Sequence, residues 1–217
     1  MTKLQTVLGL MSGTSLDGID VAAIETDGEN TIRALGQLYV PYDDAARSLL
    51  QAALEAAQNA QATDWRAPDT WPEPVRRADL LVSEAHIDAI ARFRAAHDVA
   101  FTLVGFHGQT VLHQPEAGIT VQIGDPQALA RATDCAVVGQ FRLADIANGG
   151  QGAPLAPLFH AARAKSRSGA LGVLNIGGVA NITLLGEGDK ICAFDTGPGN
   201  AIIDDWVSAK TGRAYDA

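Results

Sequence analysis

Two cysteines in 217 residues, Cys135 and Cys192, are too few and too far apart for a disulfide framework. Isolated thiols fit a reduced, cytosolic setting, where the sequon Asn181-Ile182-Thr183 is a chance match. Positive charge is short as well. Lysine and arginine total 16 against 25 aspartates and glutamates, so nucleic acid and anionic membrane surfaces are poor partners for a chain of net charge −9. No apolar run approaches the roughly 18–20 residues needed to span a bilayer. The N-terminal apolar stretch is broken by Gly9 and Ser12 and leads to no small-residue cleavage site, so it does not read as a signal peptide. Four common signatures are missing: G-x-x-x-x-G-K-S/T, G-x-G-x-x-G, H-E-x-x-H and G-x-S-x-G. The five histidines are dispersed, which argues against a zinc site. The expectation is a soluble cytoplasmic protein whose 47% hydrophobic content suffices for one sizeable core, or for one domain and part of another.

What the sequence does have is concentrated first in Val7–Ile24. Two strand-favouring runs, Val7–Met11 and Ile19–Ile24, flank a turn holding Gly13, Thr14, Ser15, Leu16, Asp17 and Gly18. This predicts a β-hairpin with a polar tip. Gly13 and Gly18 would let the backbone approach a ligand and turn its N–H groups on an anion, while Thr14 and Ser15 add hydroxyls. Asp17 and Asp20 would repel a bare phosphate, a conflict that a divalent cation between them removes. A phosphate–Mg²⁺ tip and an ordinary solvated hairpin turn both fit the spacing.

Farther along, Thr31–Val40 reads as a third strand, and Asp43 caps a helix to about Ala60. The proline-rich stretch 61–74 is a loop that tucks Trp65 and Trp71 onto the domain. A long helix follows over about Pro74–His97, with Ala78, Leu81, Ala85, Ile87 and Ile90 near helical spacing. Strands are expected at Phe101–Phe106, Thr120–Ile123 and Ala136–Val138, with Asp125-Pro126 opening a helix. Phe141–Leu155 reads as a glycine-rich loop, and a helix over about Pro157–Lys165 ends at the Ser166–Gly169 break. That break divides a first domain, 1–167, from a second, 168–217. Val173–Gly178 followed by Asn181–Leu185 then repeats the opening pattern of strand, glycine-rich turn and strand. Ile191–Phe194 is a strand delivering Asp195 to its end, and Thr196–Asn200 turns the chain into a helix over roughly Ala201–Thr211. Strands alternating with helices make the fold class α/β. One hairpin, one strand and one helix are too little to close a second domain, so the chain is expected to be cut short.

Three places carry candidate chemistry. Asp195, at a strand end beside a Gly-Pro-Gly turn, lies where open α/β sheets bind ligands, though a turn or cap residue would look the same. Arg142 can bind a carboxylate bidentately or sit in a surface ion pair. His107-Gly108-Gln109-Thr110 offers three hydrogen-bonding side chains after a buried strand, as a sugar site needs and as a plain polar loop also would.

Six strings in this order resemble the anhydro-N-acetylmuramic acid kinases: Gly9–Asp20, His107–Thr110, Val121–Pro126, Gly149–Leu155, Asn175–Thr183 and Phe194–Asn200. The resemblance runs from end to end of the chain. It implies a ribonuclease H-like lobe of the actin, sugar kinase and heat-shock chaperone superfamily, plus the beginning of a second lobe. By the same resemblance Gly13, Thr14, Ser15, Leu16, Asp17, Gly18, Ile19 and Asp20 form the first phosphate motif, with Asp17 holding Mg²⁺ through water. Gly177, Gly178 and Asn181 belong to the second. The implied activity opens the 1,6-anhydro ring of the muramic sugar with water while ATP phosphorylates O6, giving N-acetylmuramic acid 6-phosphate in cell-wall recycling. Asp195 then falls on the catalytic base. Arg142 falls on an arginine that meets the lactyl carboxylate, and His107, Gln109, Gly197 and Asn200 line the substrate side. Leu143 and Ala144 after Arg142, and Phe106 before His107, depart from the family pattern. Members of the family continue well past residue 217 with an adenosine-binding motif. A second reading is therefore a non-catalytic fragment that binds sugar or phosphate, or forms a homodimer through the unfinished lobe.

Overall fold

The structure is a computed structural model describing residues 3–60, 63–165, 167–177, 179–188 and 190–213. It divides into two compact units, one up to Ala153 and one from Pro154 onward.

The first unit is α/β. Strands β1 (Gln5–Ser12), β2 (Gly18–Thr26) and β3 (Ile32–Pro41) form an antiparallel meander. Strand β4 (Leu103–Gln114) returns parallel to β1, with β5 (Ile119–Ile123) antiparallel to it and β6 (Ala136–Val138) parallel to it. The sheet order is β3-β2-β1-β4-β5, with β6 on β4. Along β2 the period-2 alternation is plain: Ile19, Val21 and Ala23 are buried while Asp20 and Ala22 are exposed.

Two helices cover the sheet. Helix α1 (Asp44–Asn59) starts where the Asp43 carboxylate accepts the Ala46 N–H at 2.8 Å, and it buries Ala46, Leu50, Ala53 and Ala57 along one stripe. Helix α2 (Glu73–Ala96) buries Val75, Ala78, Val82, Ala89, Ile90 and Phe93. The sequence spacing had favoured Leu81, Ala85 and Ile87, which are only partly buried. The true stripe is masked in the sequence because Ser83 and His86, both polar, occupy two of its buried positions. Trp71 is buried and stacks obliquely near Trp65, centroids 6.3 Å apart, so both tryptophans serve packing as expected.

Three expected boundaries differ. Strand β4 does not stop at Phe106 but continues through His107–Thr110, bent by Gly108 at φ +69°. Phe141–Leu155 is not all loop: Phe141–Ala147 is helix α4, following α3 (Pro126–Thr133), with Asn148 Nδ2 donating to Ala144 O at 2.7 Å at its end. The unit boundary precedes helix α5 (Ala156–Ala164) instead of following it, because α5 packs on strands of the second unit. Of the expected break at Ser166–Gly169, Ser166 lies outside the described residues.

In that second unit β7 (Leu171–Ile176), β8 (Val179–Leu185) and β9 (Ile191–Pro198) form another antiparallel meander, followed by α6 (Ala201–Thr211). The repeat noticed in the sequence is thus a repeat of topology. On one face His160 Nδ1 of α5 meets the buried Thr183 Oγ1 at 2.9 Å. The other face presents Leu174, Ile176, Leu184 and Phe194 to solvent. Among the described residues no helix is long and apolar enough to cross a membrane.

His86 makes stability depend on pH. It is fully buried, its Nδ1–H donates to Val82 O at 2.7 Å, and its Nε2 has no partner among the described residues. Burial drives its pKa down to about 4. Below about pH 6.5 the unfolded chain binds a proton that the folded chain refuses, so stability is present above that pH and drains as pH falls toward 4. At pH 5 the loss is about 2 kcal/mol relative to pH 7. Asp79, whose carboxyl burial pushes upward, works in the opposite sense, gaining stability as pH falls through its raised pKa. Urea denaturation at pH 7 and pH 5 checks this: His86→Leu should remove most of the difference, and an unchanged difference would place the slope elsewhere.

Candidate functional site

The first hairpin tip runs from Ser12 at the end of β1 to Gly18 at the start of β2. Thr14, Ser15 and Asp17 are exposed, as is Asp20 on β2. Burial, and then the Asp17 charge, raise the Asp20 pKa. Leu16 and Ile19 point inward, 6% and 0% exposed, so they can offer a ligand only backbone. Leu16 holds φ +55°, an uncommon strained state for a branched apolar residue, of the kind that collects at functional turns. The two glycines differ in use. A Cβ on Gly13 would meet nothing nearer than Met11 Cε at 4.0 Å, leaving an open approach. A Cβ on Gly18 would strike Val40 O at 2.5 Å, so Gly18 is required by the contact with β3.

Around the bend of β4 a second group collects. Arg142, on α4, donates through Nε and an Nη to His107 Nε2, at 3.1 and 2.9 Å, and through the other Nη to Gly152 O at 2.8 Å. Arginine can only donate, so His107 Nε2 is an acceptor and the ring is the neutral Nδ1–H tautomer, giving its proton to Gly108 O at 2.7 Å. Burial, the Gly108 hydrogen bond notwithstanding, and then the Arg142 charge hold the His107 pKa below its ordinary value. Among the described residues no carboxylate pairs with Arg142. Its charge, half-buried, rests on two neutral acceptors. Asp145 accepts the Gly152 N–H at 2.7 Å and so shapes the glycine-rich loop.

Gln109 is fully buried. Its Oε1 accepts from Ser12 Oγ at 2.5 Å and its Nε2 donates to Thr110 O at 3.2 Å, so the side chain faces the sheet interior. Helix α2 latches the neighbouring Val121–Pro126 string: Asp79 Oδ1 accepts the Gly124 N–H at 2.7 Å, and Ser83 Oγ the Asp125 N–H at 2.8 Å. Ser12, Tyr42, Asp79 and Ser83 were not singled out in the sequence; only the tertiary contacts show them.

The second unit assembles the remaining candidates. Asn175, Asn181 and Asp195 lie opposite one another across β7, β8 and β9, a polar row on one face. Asp195 is inside β9, not at its end, because the strand runs on to Pro198, with a register shift that leaves Thr196 free to donate from Oγ1 to Ala180 O at 3.1 Å. The strap Gly197–Asn200 closes on the hairpin tip: Asn200 N donates to Gly177 O at 2.8 Å. Gly199 permits that approach, since a Cβ there would collide with the same oxygen. Gly178 lies outside the described residues.

The family model described as anhydro-N-acetylmuramic acid kinase matches residues 5–217. The chain belongs to that family. A relative from Rhodopseudomonas palustris (strain BisB18), named anhydro-N-acetylmuramic acid kinase, is 51% identical over 218 residues, covering 98% of this chain and 58% of its own length. One of the same name from Acidiphilium cryptum is 51% identical over 210 residues, covering 97% of this chain and 55% of its own. The chain therefore spans somewhat over half the length of these relatives. A solved member of the Ppx/GppA family from Aquifex aeolicus overlays with a TM-score of 0.39 at 11% identity, over 94% of this chain and 54% of that one. In this kinase-family chain, then, one hairpin tip with the His107–Arg142 pair belongs to the first unit, and the Asp195 row with the Gly177 tip to the second.

Proposed function

We propose that this anhydro-N-acetylmuramic acid kinase family chain carries the phosphate- and sugar-binding part of an enzyme that converts 1,6-anhydro-N-acetylmuramic acid and ATP to N-acetylmuramic acid 6-phosphate. Water supplies the oxygen that bonds to C1, the C1–O6 bond breaks, and O6 takes the γ-phosphoryl group, with ADP leaving. Asp195 accepts the proton of the attacking water. Family membership supports the reaction class. One geometric observation carries the substrate side: among the described residues the half-buried Arg142 guanidinium has only neutral acceptors, which suits an anionic ligand such as the lactyl carboxylate.

The donor set fits Mg-ATP. The Gly13–Gly18 tip has an open approach at Gly13 and two exposed hydroxyls. Among the described residues no cluster of three or more metal-ligating side chains exists. A Mg²⁺ ion here would thus keep its waters and the nucleotide's phosphates, with Asp17 reaching it through water, as that ion ordinarily does. The ion would neutralise phosphate charge during transfer.

A second reading, binding without turnover by residues 1–217 alone, is favoured by the exposed apolar face of Leu174, Ile176 and Phe194. Mass spectrometry of product formed from 1,6-anhydro-N-acetylmuramic acid and Mg-ATP separates the two. The test compares residues 1–217 with the same residues in a chain of the relatives' full length. Product from the longer chain supports the kinase reading; none from either chain sinks the substrate assignment.

A further inference from the structure

We propose that Tyr42 and Ser12 are positioning residues whose side chains, with Gln109, lock the phosphate-side hairpin tip to the strand on the sugar side. The proposal rests on the functional reading above, since it presumes that these two sides bind the two substrates.

The reason lies in the ladder between β1 and β4. Its register is regular from Val7↔Leu103 to Leu10↔Phe106, then slips before Ser12↔Gln109. The slip is where β4 bends at Gly108, packed so tightly that a Cβ there would strike Ile123 O. Backbone pairing between β1 and β4 is thus interrupted at Met11 and resumes only at Ser12, where the tip begins. Side chains reinforce that last pair. Ser12 Oγ donates to Gln109 Oε1 at 2.5 Å and stands 3.1 Å from Tyr42 Oη. With its own proton committed to Gln109, Ser12 can only accept from Tyr42, so the relay runs Tyr42 O–H to Ser12 O–H to Gln109, whose Nε2 continues to Thr110 O. All three residues are buried, at 9%, 1% and 0% exposure, so each bond is shielded from water. Tyr42 grips the tip twice, because its backbone N–H also donates to Asp17 O at 2.9 Å. Its neighbour Asp43 caps α1, which fixes the tyrosine on a rigid element. Gln109 in turn sits two residues from His107, which holds Arg142.

The test uses the full protein, with Tyr42→Phe, Ser12→Ala and the double variant, read by amide hydrogen exchange over residues 13–18 and by steady-state kinetics. Tyr42→Phe should speed exchange at the tip about tenfold and raise KM for Mg-ATP about tenfold, with kcat moving little. Ser12→Ala cuts the relay at its middle and should raise KM for both Mg-ATP and the sugar. The double variant should be no worse than Ser12→Ala alone, since both remove one chain of bonds. Unchanged tip exchange with only a lower Tm, or additive losses in the double variant, would overturn the relay. A wild type that makes no product counts against the kinase reading, while the exchange measurement still decides the relay.

Discussion

Replacing Arg142 by methionine is expected to lower kcat/KM for the anhydro-sugar by about 100-fold to 1,000-fold, mostly through KM, and to leave KM for Mg-ATP unmoved. A charge-assisted, two-pronged contact with a carboxylate, cut on one side, costs about 3–4 kcal/mol, and each 1.4 kcal/mol is about tenfold. The size of the effect follows from Arg142's surroundings. Burial disfavours its charge, and among the described residues that charge meets only His107 Nε2 and Gly152 O. Methionine keeps much of the stem's packing volume, so a loss confined to the sugar separates recognition from folding. Arg142→Lys should recover little, because an ammonium cannot reproduce the planar fork held by His107. The same geometry sets a pH limit. His107 serves Arg142 only while neutral, and its pKa lies below the ordinary histidine value. Sugar KM should therefore stay flat as pH falls through 6.5 and climb only at lower pH, when imidazolium faces guanidinium. Kinetics of the wild type and both variants from pH 8 to pH 5 check this; a loss shared equally by both substrates would make Arg142 a structural residue.

The strands and the two hairpins were legible in the sequence because their signals are local. Val7–Met11 and Ile19–Ile24 alternate or run apolar, with glycine and polar residues at the turn, and the meanders follow. Helix α1 was legible through Asp43 and its alanine and leucine stripe. What escaped depended on contacts distant in sequence. The α2 stripe was misread because His86 and Ser83 are polar yet buried, one edge-on to Phe106 at 5.0 Å and the other bonded to Asp125 N. The bend in β4 looked like a strand end because Gly108 and its polar neighbours mimic a loop. In fact pairing with β5 keeps Gln109 and Thr110 in the sheet. Helix α4 hid in a glycine-rich composition, since the glycines follow the helix and serve Asp145. The family strings marked Gly18 and Gly13 alike. Only the structure shows that one glycine yields to a neighbouring strand while the other leaves space.

Asp195→Asn is expected to lower kcat by about 100-fold to 10,000-fold with both KM values within about twofold, the range for removing a general base. The geometry makes this a clean substitution. Asp195 lies exposed in β9 opposite Asn181, so an amide of the same shape loses the proton acceptor without leaving a cavity or an unpaired buried charge. Asn181 and Asn175 on the same row are amides already, so the row tolerates that chemistry. The strap that fixes Asp195 is held from both ends by backbone and hydroxyl bonds that do not involve its carboxylate: Thr196 Oγ1 to Ala180 O, and Asn200 N to Gly177 O. Binding should survive for that reason, and calorimetric titration of the variant with the sugar should give an affinity close to wild type. A variant that keeps its turnover would show that the carboxylate takes no proton in the rate-limiting step. A variant that loses sugar binding in parallel with turnover would make Asp195 a binding group instead of the base.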